Sequence, residues 1–207
     1  MRPLSGGSGR SLPSPRASLA YQSRSEGYDI CPAKNSQQGG VATRLVRQMY
    51  AWRGYNTESI EFQVDDPNRV TIAAWQGDKI VATLTLGRDS PNGLMADALY
   101  AEELAGLRHP DRVVCEVTRL AVCPDYSAPG LLTKLFQAAF QYAKDVFSAS
   151  DAVIEVNPRH VRYYRSRMGF QQIGRLRQCE RVDAPAVLLH QTVGGISVAF
   201  ASNEAAA

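Results

Sequence analysis

No stretch of this sequence approaches the ~20 uninterrupted apolar residues that a spanning helix needs, which excludes a helical membrane protein. Metal-ligand spacing is missing too. The three histidines (His109, His160, His190) are scattered, no HExxH occurs, and the four cysteines (Cys31, Cys115, Cys123, Cys179) form no CxxC pair. Zinc is therefore not expected, and no metal ligand is assigned. The cysteines sit in apolar segments and read as buried free thiols of a reducing compartment, so a cytoplasmic location is expected. There is no GxSxG elbow, no GxxxxGK(S/T) loop and no GxGxxG after a strand, so hydrolase, P-loop and dinucleotide-binding readings lose support.

Excess charge is also lacking where it would matter. The net charge of +3 belongs to residues 1–27, where Arg2, Arg10, Arg16 and Arg24 stand against Glu26 alone; the rest holds 19 basic and 19 acidic residues. A neutral body argues against nucleic-acid binding. Residues 1–27 contain 14 Ser, Gly or Pro. Such a composition cannot bury enough surface to offset its ordering entropy, so a disordered extension is expected. It has no apolar run of a secretory signal, and only a faint likeness to a transit peptide. What remains, with 44% hydrophobic and 21% charged residues over the whole chain, suits one ordinary globular domain, assigned to 28–192, with 193–207 as a C-terminal tail.

Helical and strand patterns alternate along that domain. Val41, Leu45, Val46, Met49 and Tyr50 predict a helix from about Gly40 to Arg53, stopped by Gly54. Val70–Trp75 and Ile80–Leu86 flank Gln76-Gly77-Asp78-Lys79 as a hairpin. Asp97–Ala105 reads as a short helix capped by Asp97, and Arg112–Val122 as a long strand. In the helix Pro129–Phe147, the residues Leu132, Leu135, Phe136, Ala139, Tyr142, Ala143 and Val146 form the expected apolar face. Ala152–Val156 is a short strand, Asn157-Pro158 a cap and first helical residue, and Gly169 a stop. Strands near Phe170–Arg177 and Ala186–Gln191 follow; Ile196–Phe200 reads as a further strand or frayed chain. This order predicts a mixed α/β sheet with helices on its faces.

Three segments carry chemistry. In Arg112–Val122, RVVCEVTRLAV, a glutamate inside a strand of valines needs compensation, because burial disfavours its charged form. Glu116 and Arg119 are an odd number of residues apart, so they act together only if a bulge lies between them. The structural alternative is a buried Glu–Arg pair or a glutamate facing water from an edge strand. Asp125–Gly130 joins a strand to a helix N-terminus, where unpaired N–H groups favour an anion. One glycine cannot wrap a diphosphate, and an ordinary helix cap is the bland reading. From Arg159 to Arg181 there are seven arginines against Glu180, a basic face suited to phosphate or an acidic protein surface, or else simply solvated. Tyr163 and Tyr164 within it fit a core role as well as chemistry.

VCEVTRLAV together with IEVNPRHVRYYRSRMGF resembles the long-chain N-acyl amino acid synthases, the FeeM-like group of the GNAT acyltransferase superfamily, themselves similar to the acyl-homoserine lactone synthases. The resemblance spans about Tyr28 to Gln191. It implies a GNAT-like α/β (α+β) fold: a mostly antiparallel central sheet, helices on both faces, and a splayed strand pair at the donor site. It implies an N-acyltransferase joining a fatty acyl thioester to the amino group of an amino acid. Catalytic roles fall to Glu116 as base, Arg119 as carboxylate binder or partner of Glu116, and Tyr164 as acid. Donor binding falls to Leu120, Val122, Ser127, Gly130, Leu131 and Asn157. Docking of an acyl carrier protein falls to Arg159, Arg162, Arg165 and Arg167. No permanently bound cofactor is implied; the donor is acyl-phosphopantetheine, on the carrier protein or on coenzyme A, and the lipid product suggests peripheral membrane contact. Two departures stand out. The GNAT Arg/Gln-x-x-Gly-x-Gly/Ala loop is absent, which favours the single phosphate of a carrier protein, and Tyr164 lies five residues before Gly169 instead of four. The alternatives are an acyl-homoserine lactone synthase using S-adenosylmethionine as the amine, and a non-catalytic acyl or acyl-carrier binding module.

Overall fold

A nine-stranded mixed sheet organises the computed structural model of the chain, which describes residues 23–25, 27–61, 66–126 and 128–205. The elements are β1 (Ser23–Ser25), β2 (Tyr28–Pro32), α1 (Ser36–Trp52), β3 (Arg69–Gln76), β4 (Lys79–Arg88), α2 (Asp97–Ala105), β5 (Val114–Val122), α3 (Leu131–Asp145), β6 (Asp151–Val156), α4 (Val161–Met168), β7 (Gln171–Gln172), β8 (Arg177–Cys179), β9 (Ala184–Thr192) and α5 (Val193–Ala205). Strand order is β1-β2-β3-β4-β5-β6-β9-β7, with β8 also on β9. Every pairing is antiparallel except β5 with β6, which α3 connects as a crossover. Buried side chains of α1 and α2 pack on one face of the sheet, those of α3, α4 and α5 on the other. The expected GNAT-like architecture is therefore the observed one.

Local chemistry explains most boundaries. Asn35 caps α1, its side chain accepting from the Gln38 N–H at 2.9 Å, so the helix starts before the expected Gly40. Gly54, at φ +77°, ends it. The hairpin turns at Gly77-Asp78, with Gln76 opposite Lys79. Asn157 caps a 3₁₀ turn, Pro158–His160, that leads into α4 rather than α4 itself, accepting from the Arg159 N–H, and Gly169 at φ +72° stops α4.

Other expectations need correction. Ala96, not Asp97, precedes α2; the Asp97 carboxylate accepts from the Leu94 N–H and from Arg108 instead. On α3 the buried face is Leu131, Leu135, Phe136, Ala139, Phe140 and Ala143, so Leu132, Tyr142 and Val146 are only half-buried. The strand expected over Phe170–Arg177 is broken. Ile173 and Gly174 both donate to the Leu188 carbonyl, and a Cβ at Gly174 would lie 2.6 Å from the Tyr100 ring, so the chain bends there before β8 begins. The tail is a helix rather than a strand or frayed chain: Val193, Ile196 and Phe200, at i, i+3 and i+7, bury against the core shared with α3 and α4. Of the expected disordered extension 1–27, most lies outside the described residues, but Ser23–Ser25 pair with Tyr28–Ile30 as a strand. All four cysteines are free, three of them buried.

Two strands part where the site lies. β5 and β6 are in register from Val114↔Asp151 to Val117↔Ile154 and no further. Beyond that point β5 stays with β4 up to Val122↔Ala82, and β6 stays with β9 up to Val156↔Val187. The cause is a bulge: Thr85 faces Thr118 and Thr83 faces Ala121, so Arg119 and Leu120 share the place opposite Leu84. Arg119 takes φ +54°, the left-handed conformation that the first residue of a G1 bulge, normally glycine, adopts. The bulge required by a cooperating Glu116 and Arg119 is thus present.

Candidate active site

A cavity of about 950 Å³ occupies the splay and is lined from both faces of the sheet. Met49, Tyr50 and Met95 contribute from the α1 and α2 side, Lys134, Tyr163 and Phe200 from the α3, α4 and α5 side. This volume sits at the upper end of the ~300–1,000 Å³ typical of small-ligand sites.

Glu116 lies behind the cavity wall, 1% exposed, on the face it shares with Val114 and Val153. Its Oε2 accepts the Met95 N–H at 2.7 Å; its Oε1 is buried with no hydrogen-bond partner among the described residues. Burial pushes the carboxyl up to about 7, against the pull of the Met95 N–H, Arg181 and Arg69, while Glu155 adds to the rise. Arg119 lines the cavity. Burial and then Arg69 depress its guanidinium, with Tyr50 and Glu116 acting the other way. No hydrogen bond joins Arg119 to Glu116, so the buried Glu–Arg pair of the structural alternative is not formed.

Tyr164 also lines the cavity, its ring edge-on to Phe136, Tyr163 and Phe170 at 5.4–6.1 Å between centroids. Burial, then Tyr163 and Tyr50, raise its hydroxyl well above the ordinary phenol range, so it is protonated at neutral pH. Among the donor residues, Leu120, Val122, Gly130, Leu131 and Asn157 all reach the cavity, whereas Ser127 lies outside the described residues. Gly130 enters α3 at φ +83° and has no side chain to cap it. The turn before it is pinned by Tyr126, whose hydroxyl accepts from Lys79 Nζ at 3.1 Å and whose carbonyl accepts from the Tyr28 hydroxyl at 3.1 Å.

The seven arginines do not form one patch. Arg162 and Arg165 are exposed on α4, and Arg159 donates to the Tyr55 hydroxyl at 2.8 Å. Arg167 lines the cavity, Arg177 pairs with Glu103 at 2.9 Å, and Arg181 turns inward. Arg181 and its partner Glu155 are the functional candidates that sequence reasoning missed. Arg181 donates to Glu155 Oε1 at 3.1 Å and to the Met95 carbonyl at 3.3 Å, so the two peptide groups of Met95 are held by Arg181 and Glu116. Glu155 carried a signal like that of Glu116, a carboxylate inside an apolar strand, AVIEV. Tyr50, assigned only to a helix face, lines the cavity too, and burial raises its hydroxyl to about 12.

The family model for the N-acyl amino acid synthase FeeM matches residues 41–192. Among solved structures, that of FeeM, an N-acyl amino acid synthase from uncultured soil microbes, is similar at 27% identity and a TM-score of 0.76, over 83% of this chain and 94% of that one. The AHL synthase LasI shares the fold at 14% identity and a TM-score of 0.60, over 84% of this chain and 93% of that one. Arabidopsis thaliana NAA60 in complex with acetyl-CoA shares it at 15% and 0.57, over 81% and 99%. Among curated proteins, none matches the sequence. No helix of the described residues is long and apolar enough to cross a membrane. With the family matched over most of the chain and the splayed, bulged strand pair in place, the chain belongs to the N-acyl amino acid synthase FeeM family and is an N-acyltransferase of GNAT fold.

Proposed function

We propose that the protein transfers a long-chain acyl group from an acyl carrier protein thioester to the amino group of an amino acid. The observation that carries this reading is a largely apolar cavity reaching both faces of the sheet, with a carboxylate of pKa about 7 behind its wall. Donor arm and amine then approach from opposite faces and meet at the bulge. The catalytic unit in this reading is 28–192, with α5 adding Phe200 to the wall. Its buried free thiols suit a cytoplasmic setting.

In this mechanism the thioester carbonyl lies along β5 beyond Val117, where the strand has left β6, and a backbone N–H near Leu120–Val122 stabilises the oxyanion. An α-ammonium, with a reference pKa of roughly 7.7–8.0 in peptides, must lose a proton before it is nucleophilic. Glu116, which does not line the cavity but is bonded to the N–H of cavity-lining Met95, takes that proton through a water. Attack forms the C–N bond, collapse breaks the C–S bond, and Tyr164 protonates the departing thiolate, regaining its own proton from the second one that the nitrogen releases as it becomes an amide. Arg119, not bonded to Glu116, is left to bind the acceptor carboxylate. The test is the identity of the N-acyl product in bacterial cells expressing the protein. An N-acyl amino acid is expected; an acyl-homoserine lactone or no new lipid would overturn the reading.

The donor preference rests on the single glycine of the Asp125–Gly130 turn. Carrier-bound acyl thioesters are expected to react with higher kcat/KM than the same acyl-CoA, and equal or better use of acyl-CoA would refute the single-phosphate argument. Docking falls to α4, where Arg162 and Arg165 are exposed, beside Arg159. Reversing the charge of Arg162 and Arg165 should lower kcat/KM for the carrier-bound donor while sparing acyl-pantetheine. Added salt should slow only the carrier-bound reaction, since screening shortens from ~10 Å at 0.1 M to ~3 Å at 1 M. Equal loss with both donors would place docking elsewhere.

A further inference from the structure

Glu155 poses a problem that the reaction above does not solve. It sits on β6 one residue past the last β5–β6 pair, on the same side of the sheet as Val153 and Glu116. Its side chain is 8% exposed and lines the cavity. Arg181 donates to Oε1; Oε2 is buried with no well-formed hydrogen bond among the described residues, and the Cys179 thiol beside the carboxylate is only a weak donor. A buried carboxylate oxygen without a donor is costly, and it persists where a ligand supplies the donor.

What surrounds it selects that ligand. The guanidinium of Arg119 feels those of Arg69 and Arg181. Arg69 is paired with Asp66 and Arg181 with Glu155, whereas Arg119 lines the cavity with no carboxylate partner among the described residues. An unmatched carboxylate oxygen and an unmatched guanidinium in one cavity fit a molecule carrying an ammonium and a carboxylate. Met49, Tyr50, Ile60 and Met95 border the same end, so the remainder of that molecule meets apolar and aromatic surface.

We infer that Glu155 Oε2 is the docking group for the ammonium of the acceptor, holding a zwitterionic amino acid with its carboxylate toward Arg119 and its nitrogen toward Glu116. This rests on the function proposed above and adds a residue to it. Glu155 binds the charged amine; Glu116 then receives its proton. Arg181 orients Glu155 and, through the Met95 carbonyl, the segment that separates the two glutamates.

The test uses the full chain with acyl-pantetheine and an equimolar mixture of the twenty amino acids, the acceptor being identified from the product and then varied alone. Glu155→Gln is expected to raise KM for that amino acid on the order of 10–100-fold, the loss of one charge-assisted hydrogen bond, with kcat changed only a few-fold. Glu155 ionisation bears on Glu116, Tyr50, Tyr100 and Cys179, with Arg181 as its ion partner; its neutralisation should therefore also move the acid limb of kcat/KM downward, toward the ordinary carboxylate range. Glu155→Asp keeps the charge and withdraws it by one methylene. It serves if the glutamine variant does not fold, and should raise KM at least tenfold without moving that limb. An unchanged KM in either folded variant, or a fall in kcat alone, overturns the inference while leaving the proposed function standing. Failure of the wild type to acylate any of the twenty overturns both.

Discussion

Glu116→Gln is expected to disable the enzyme and, above neutral pH, to stabilise it. The substitution keeps shape but removes the proton acceptor, so kcat/KM should fall ~10²–10⁴-fold. In the wild type, kcat/KM should rise with pH through about 7, where the buried carboxyl ionises, and the variant should lose that limb. Stability moves the other way. The carboxyl binds its proton more tightly in the folded chain, about 7 against an ordinary 4.5, so folding is favoured by protonation. That contribution is whole below 4.5 and is lost as pH rises through 7. The ionised group then costs up to about 3 kcal/mol at pH 8, at ~1.4 kcal/mol per pKa unit. Glutamine carries no such cost. Thermal melts of the two proteins should coincide near pH 4.5 and diverge by pH 8, with the variant higher by up to roughly 6–12 °C. A variant that is both active and unchanged in its pH–stability profile would assign Glu116 to neither base nor buried charge.

Asp151→Asn should do the reverse, costing stability rather than chemistry. Asp151 begins β6 with its side chain 2% exposed, and accepts from Arg112 Nε at 2.8 Å, Ser150 Oγ at 2.6 Å and His190 Nε2 at 2.8 Å. Burial would raise its pKa, but Arg112, Ser150 and His190 outweigh burial and hold the carboxyl well below the usual range. Its contribution to folding is therefore present above the unfolded value of 3.8 and is lost only as pH falls below it. Removing the charge leaves Arg112 and His190 facing a neutral amide, at a cost of roughly 3–5 kcal/mol. The melting temperature at pH 7 should fall by ~6–20 °C. Because Asp151 ties β5, β6 and β9 together at the end away from the splay, kcat/KM at low temperature should stay near wild type. Loss of activity without loss of stability would mean that this end of the sheet governs the site.

The local signals in the sequence were strong where the chemistry is local. Asn157-Pro158 open the 3₁₀ turn that leads into α4 and Gly169 ends α4, because a side-chain cap, a residue without an N–H and a left-handed glycine act within one turn. Glu116 stood out because a carboxylate inside a strand of valines is costly to bury, and its odd separation from Arg119 called for the bulge found at Arg119–Leu120. The strand predicted over Phe170–Arg177 failed because Gly174 must pass against Tyr100, a contact between residues 74 positions apart. The tail was unreadable for a related reason: its small apolar residues become a helix only when α3 and α4 offer a face to cover.

By itself, the sequence determined the α/β alternation, the absence of excess charge in the body, and the identity of the strand that buries Glu116, since each follows from periodicity and composition. Only the tertiary structure decided what Glu116 faces. Strand order places β6 beside β5, the bulge parts them, and Glu155, Arg181 and Tyr50 arrive from three separate elements at one cavity. Carboxylates and guanidinium groups act on one another over a few ångströms of space whatever their separation along the chain, so their partnership exists only once the sheet is assembled.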